Sequence, residues 1–257
     1  MQFIDTHTHL YAEQFNDDIA AVVKRAMQQN VHKLLLPDID STTRPAMMAM
    51  HTNYPTQCLV MIGLHPTSVK EDYKTELELI DDCIDKHPFC GIGETGIDLY
   101  WDKTFIEQQI DSFTYQVALA LKHHLPLVIH ARKSLNEIFA VLAPFKNKGL
   151  TGVFHCFPGN IAEAQHAIDL GFHLGIGGVV TYKNSGMAEV VKHFGLEHFV
   201  LETDSPYLSP APERGKRNES ANVPIIAAFI AQLKNCALAQ VAETTTRNAE
   251  KLFKIKA

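Results

Sequence analysis

Near the start of the chain, Asp5-Thr6-His7-Thr8-His9 sets two imidazoles two residues apart. Extended backbone sends residues i and i+2 to one side, so His7 and His9 can aim at a single point as a chelate. Alone the pair also fits two solvated loop histidines, because His-x-His is a short motif. Four later residues change that reading: Glu94, His130, His155 and Asp204 each stand at or just past the end of a short apolar run. Four histidines and two carboxylates exceed what one catalytic zinc takes, which is three protein ligands and a water. The set therefore predicts two divalent ions; carboxylates and water suit Mg or Mn, and imidazoles suit Zn. Such an ion pair acidifies a water held between the two metals and clamps the attacking and leaving oxygens of a displacement. Catalytic roles follow for Asp204, as the base that takes the water's proton, and for Glu94, whose two oxygens can bridge the ions.

What must position these residues is a scaffold that brings several strand ends to one place. Eight short apolar runs are visible, at 3–4, 33–36, 58–62, 89–92, 126–129, 152–154, 172–176 and 199–201. Between them the spacing is helical: Ile19, Val22, Val23 and Ala26 fall at i, i+3, i+4 and i+7. Comparable segments recur as far as 238–253. Strands alternating with helices, without a composition shift or a Gly/Ser linker, predict an α/β protein with one TIM (β/α)8 barrel domain over residues 1–257. Barrel enzymes draw catalytic residues from the C-terminal ends of several strands. Here His7 and His9 follow strand 1, Glu94 strand 4, His130 strand 5, His155 strand 6 and Asp204 strand 8. Ring closure sets strand 8 beside strand 1, so Asp204 is expected to share one ion with His7 and His9. His130 and His155 are expected to share the other.

Composition excludes several classes. No segment of the 257 residues reaches the run of about 18 apolar residues that a membrane span needs. The sequence opens on a strand with no export signal, which predicts a cytoplasmic protein without membrane attachment. Five cysteines with no C-x-x-C pair read as reduced, packed thiols. Cys156 faces away from His155 if both lie on a strand. A formal charge of −6 argues against coating nucleic acid through a broad basic surface. It leaves a phosphate substrate open, because metal ions supply local positive charge. Nothing marks an obligate protein partner, and the oligomeric state is not legible.

The segments Asp5-Thr6-His7-Thr8-His9-Leu10, Gly91-Ile92-Gly93-Glu94-Thr95-Gly96-Ile97-Asp98, Ile129-His130-Ala131-Arg132, His155-Cys156-Phe157 and Glu202-Thr203-Asp204-Ser205-Pro206-Tyr207-Leu208 resemble those of the TatD family. These are metal-dependent deoxyribonucleases and hydrolases of the amidohydrolase superfamily. The resemblance runs from Phe3 to the 248–253 stretch. It implies a barrel with two divalent ions at His7, His9, Glu94, His130, His155 and Asp204, acting on DNA phosphodiesters, commonly as a 3′ to 5′ exonuclease. The chain departs at Lys133-Ser134, where many relatives carry an acidic residue and Ala.

Four further residues are candidates for holding DNA: His65 at the end of strand 3, Arg132 two residues past His130, and Lys216 and Arg217 in the basic segment 212–218. A solvated basic loop is the alternative for that segment. Tyr100, Trp101, Tyr182 and Tyr207 lie on mouth loops where bases could stack. Burial against the barrel rim is the commoner fate of such rings, so they stay outside the expected site. Glu202, Asp5 and Asp98 are expected to orient ligands. An amide, ester or lactone hydrolase is the rival enzyme, since one activated water attacks either centre. A non-catalytic binding module with a structural metal fits poorly, because structural sites are closed and usually thiolate-rich.

Overall fold

The computed structural model describes residues 1–255. Eight strands alternate with helices: β1 (Phe3–Asp5), β2 (Val31–Leu36), β3 (Cys58–Val60), β4 (Ile92–Asp98), β5 (Leu127–Arg132), β6 (Gly152–Phe154), β7 (Phe172–Ile176) and β8 (Phe199–Leu201). Between and after them come α1 (Ile19–Gln28), α2 (Arg44–Asn53), α3 (Tyr73–Ile84), α4 (Ile106–His123), α5 (Leu135–Leu142), α6 (Ile161–Asp169), α7 (Met187–His193), α8 (Val223–Lys234) and α9 (Leu238–Leu252). The strands pair in parallel in sequence order, β1 to β3 and β4 to β8. Single bridges close the ring. Ile62 meets Ile92 between β3 and β4, and Thr8 meets Ser205 where β8 returns to β1. The latter seam carries Thr6 N–H to Leu201 O at 3.0 Å and Asp204 N–H to His7 O at 2.9 Å. The architecture is the expected TIM barrel.

Apolar periodicity accounts for the packing. Val22, Val23 and Ala26 of α1 are buried against the outer face of the sheet, while Ala20, Ala21, Lys24 and Gln28 on the opposite side face water. Inside the ring, Ile4, Leu35, Met61, Val128, Val153 and Val200 form one layer, against which Ala249, Leu252 and Phe253 at the end of α9 pack. A filled interior leaves the strand ends as the place for polar groups. Among the described residues no single helix is long and apolar enough to cross a membrane.

The fourth strand differs from expectation. It runs Ile92–Asp98, so Glu94 lies within the strand and Asp98 ends it. Gly93 and Gly96, which interrupt the apolar run, allow close strand contact in the fold. Gly96 sits at φ 139°, and a Cβ there would lie 2.1 Å from His130 O. Only glycine lets β4 approach β5 this closely, and the register between the two shifts between Ile92 and Thr95.

Candidate metal centre at the barrel mouth

Asp5 ties the first strand to the last. Fully buried, its carboxylate accepts from Thr203 N at 2.9 Å, Thr203 Oγ1 at 2.6 Å and His7 N at 3.3 Å. Burial raises its pKa to about 7 against those hydrogen bonds. Asp204, at φ 56°, lies in the left-handed region, which costs an L-residue about 1–2 kcal/mol and which Asp tolerates better than most. Its Oδ1 lies 3.4 Å from His9 Nε2, 3.7 Å from His155 Nε2 and 3.9 Å from His7 Nε2. The His7 and His155 rings stack with centroids 3.4 Å apart.

Glu94 is the hub, with one oxygen turned to each side. Oε2 stands 3.1 Å from His7 Nε2 and 3.7 Å from His9 Nε2. Oε1 stands 2.9 Å from His130 Nδ1 and 3.3 Å from His65 Nε2. Three donor groups result: His7 with His155 and Asp204, His7 with His9 and Glu94, and His65 with Glu94 and His130, each within 4.8 Å. All six expected ligands therefore converge, but the grouping of His130 with His155 does not appear. Glu202 holds His155 so that its Nε2 faces Asp204, while Glu94 and His65 flank His130.

Three acceptors fix the rings. His155 Nδ1 lies 3.1 Å from Glu202 Oε2, and Glu202 Oε1 accepts from Cys156 N at 2.5 Å. His130 Nε2 lies 2.9 Å from Asp98 Oδ2. His9 Nδ1 lies 2.9 Å from Tyr11 Oη, whose hydroxyl donates to Pro37 O at 2.5 Å. Because that hydroxyl spends its proton on Pro37, it accepts from His9 and leaves the His9 Nε2 lone pair aimed at the cluster. Glu202 and Asp98 stand against the His155 and His130 rings. Tyr11 was missed, because it reaches His9 through the turn closed by Ala12 N–H to His9 O at 2.9 Å, which the strand alternation does not show.

The charges call for a cation. Burial opposes ionisation of Glu94, yet the charges of His65 and His7 and hydrogen bonds from His130 and His65 hold its carboxyl well below the usual range. Asp204 is likewise lowered, burial being outweighed by His155 and His9. Burial opposes a charged His155, but Glu202 and Asp204 carry it up to about 10. His130 rises to about 9 against burial through Asp98 and Glu94. Burial lowers His7 and His65. The carboxylates thus draw protons onto two buried imidazoles, and divalent ions would supply the same positive charge while displacing those protons. The donor set, imidazole and carboxylate with water access at Asp204, fits a catalytic metal centre.

The expected DNA contacts divide. His65 joins the cluster. Arg132 ends β5 on the rim, its guanidinium 4.1 Å from the centroid of Tyr100. Lys216 pairs with Glu213 at 2.6 Å. Arg217 departs from its expected place: both terminal nitrogens donate to Asp18 at 2.8 Å, one also donates to Gln14 O at 2.6 Å, and the group covers Phe15. It fastens the basic loop to the start of α1, because a bidentate carboxylate is a strong and directional partner for a guanidinium. Cys156 stands just past its strand at φ 42°, with burial pushing its thiol well up.

The chain is similar to known proteins along its length. Residues 4–254 match the profile of the family described as TatD related DNase. YabD of Bacillus subtilis strain 168, named a metal-dependent hydrolase, is 35% identical over 252 residues, covering 98% of either chain. A Pectobacterium carotovorum protein named 3′-5′ ssDNA/RNA exonuclease TatD is 28% identical over 257 residues, 98% of this chain and 99% of its own. The crystal structure of the TatD homolog YjjV from Escherichia coli K12 superposes with a TM-score of 0.93 at 27% identity, covering 99% of this chain and 98% of that one.

Proposed function

The chain belongs to the family of TatD-related DNases and is a metal-dependent hydrolase, and from that premise we propose that it cleaves DNA phosphodiester bonds from the 3′ end, using two divalent ions at the barrel mouth. The observation that carries the reading is the Glu94 carboxylate, which offers Oε2 to His7 and His9 and Oε1 to His130 and His65. A carboxylate divided in this way suits a bridge between two cations. His7, His9 and Asp204 would hold one ion and His130 the other, with His155 on the Asp204 side. Mg, Mn or Zn bound there would polarise the phosphoryl group and acidify the attacking water.

The protein's own groups do the rest. Asp204 Oδ1 faces the imidazoles, and its Oδ2 has no hydrogen-bond partner among the described residues, which frees that oxygen to take a proton. His65, 9% exposed beside Glu94, can donate to a non-bridging phosphate oxygen. Arg132 on the rim can meet the next phosphate. The exonuclease name of one relative supports the nucleic-acid substrate.

The test is hydrolysis of single-stranded and duplex oligonucleotides labelled at either end. Mg, Mn or Zn is added to chelator-stripped protein beside an Asp204→Ala control. Stepwise shortening from the 3′ end that requires metal and Asp204 is expected. No cleavage with any metal by folded, loaded protein would refute the reading and turn attention to esters and amides.

A further inference from the structure

Trp101, the single tryptophan of the chain, is 67% exposed, and Tyr100 beside it is 45% exposed. Rings of this size normally gain by burial, so their exposure together at the mouth calls for a ligand. They are also fixed in place. Asp98 Oδ1 accepts from Tyr100 N at 2.8 Å and from Trp101 N at 3.0 Å, while Oδ2 of the same carboxylate meets His130 Nε2 at 2.9 Å. One side chain thus couples the aromatic loop to the metal cluster. The two rings meet edge to face at 5.0 Å and 84°.

Two cations complete the patch. The Arg132 guanidinium lies 4.1 Å from the Tyr100 centroid and 5.2 Å from that of Trp101, and Lys133 Nζ lies 5.0 Å from Tyr100. Ser134 sets this strand end: its hydroxyl donates to Ile97 O at 2.5 Å and accepts from Arg132 N at 3.1 Å. Lys133 adds a second cation to the rings. Lys216 and Arg217 are engaged by carboxylates. Arg132 and Lys133 have no ion-pair partner among the described residues.

Resting on the nuclease reading, we propose that the exposed Trp101 ring, braced edge to face by Tyr100 and flanked by Arg132 and Lys133, is a platform on which a base of the substrate strand stacks. Every base has a π face, so the platform tolerates sequence, and the flanking cations meet the backbone phosphates. In a chain of net charge −6, two uncommitted cations beside the metal cluster also give an anionic strand one favourable approach.

The experiment compares two single strands of one sequence, one intact and one carrying an abasic residue walked inward from the 3′ end, as substrates of the metal-loaded wild type, Trp101→Ala and Trp101→Phe. In the wild type, an abasic residue at one position is expected to raise KM about tenfold with kcat little changed. Trp101→Ala should erase that preference and Trp101→Phe should keep most of it. Because Trp101 is the only tryptophan, its fluorescence reports the same contact without turnover: intact strand should quench it and abasic strand should not. A wild type indifferent to abasic residues at every position, or a preference that survives Trp101→Ala, would overturn the proposal. Should the wild type cleave no oligonucleotide, the nuclease reading falls. The quenching arm then decides the platform separately, base-dependent quenching supporting it and none overturning it.

Discussion

Glu202→Gln tests the metal centre through a single proton. Glu202 is fully buried, with Oε1 2.5 Å from Cys156 N and Oε2 3.1 Å from His155 Nδ1. There is no room to turn: a Cβ on neighbouring Gly175 would lie 2.5 Å from Oε2. A glutamine here must keep its carbonyl on the Cys156 N–H, because its amide would otherwise face a donor. Its NH2 group then points at His155 Nδ1 and makes that nitrogen an acceptor. The ring proton moves to Nε2, the atom that faces Asp204 and is needed as a lone pair. Losses from partners of this kind run to about 10–100-fold in metal affinity, or about 1.4–2.7 kcal/mol. At metal 100 times the wild-type Kd, binding stabilises the fold by about 2.7 kcal/mol. In the variant that falls to between about 1.4 and 0.4 kcal/mol. For 257 residues at about 2.1 cal/mol/K each, the metal-induced rise in Tm should shrink from about 5 °C to about 1–3 °C. Differential scanning fluorimetry of stripped protein titrated with Mn or Zn reads this directly. Folded apo-variant showing an undiminished metal shift would refute both the tautomer argument and the place of His155 at the metal.

Two further predictions separate the structural cations and histidines from the functional ones. In an Asp204→Asn background, Arg132→Ala should flatten the dependence of log K on log salt for single strands by about 0.7, the share of one phosphate contact. Arg217→Ala should leave that slope alone and lower Tm, because its guanidinium is spent on Asp18 and Phe15; a lost slope in Arg217→Ala would return the basic loop to the substrate. His173 has its pKa lowered from 6.5 by burial and by the charges of His198 and Lys251, and its Nδ1 is buried without a partner. The unfolded chain therefore binds the proton first, so this contribution is full above about pH 6.5 and is lost as pH falls through that value. His173→Gln should reduce the slope of stability against pH just below about pH 6.5, measured by urea unfolding, by less than about 1.4 kcal/mol per pH unit. An unchanged slope would show that His173 titrates alike in both states.

The residues that the fold brings together as expected share one property: their surroundings are dictated by local periodicity. His7 and His9 alternate on extended backbone, and His155 and Asp204 follow apolar runs whose bounds the fold keeps, Gly152–Phe154 and Phe199–Leu201. Glu94 was expected just past the end of an apolar run and instead lies within its strand, since the glycines beside it interrupt the apolar pattern without ending the strand. Gly96 and His130 show this only once β5 lies alongside. The charged residues were harder. Whether a cation is available to a substrate depends on which carboxylate reaches it first, and the one that holds Arg217 is Asp18, 199 positions away. Lys216, by contrast, finds Glu213 on its own loop.

The same reasoning turns Tyr100 and Trp101 from rim packing into a candidate surface. Large rings were expected to be buried because burial is the general outcome. Their exposure follows from Asp98, whose one oxygen draws the loop amides while the other meets His130. Had β4 ended at Ile92, as apolar pattern alone suggested, Asp98 would belong to a loop and could not span the two. Because β4 continues to Asp98, a residue serving the metal cluster also determines where the aromatic loop leaves the barrel. Site and platform are therefore coupled, and removing the Asp98 carboxylate would disturb both together, whereas Trp101→Ala disturbs the platform alone. That asymmetry makes the tryptophan, rather than the aspartate, the residue whose replacement can tell substrate selection from chemistry.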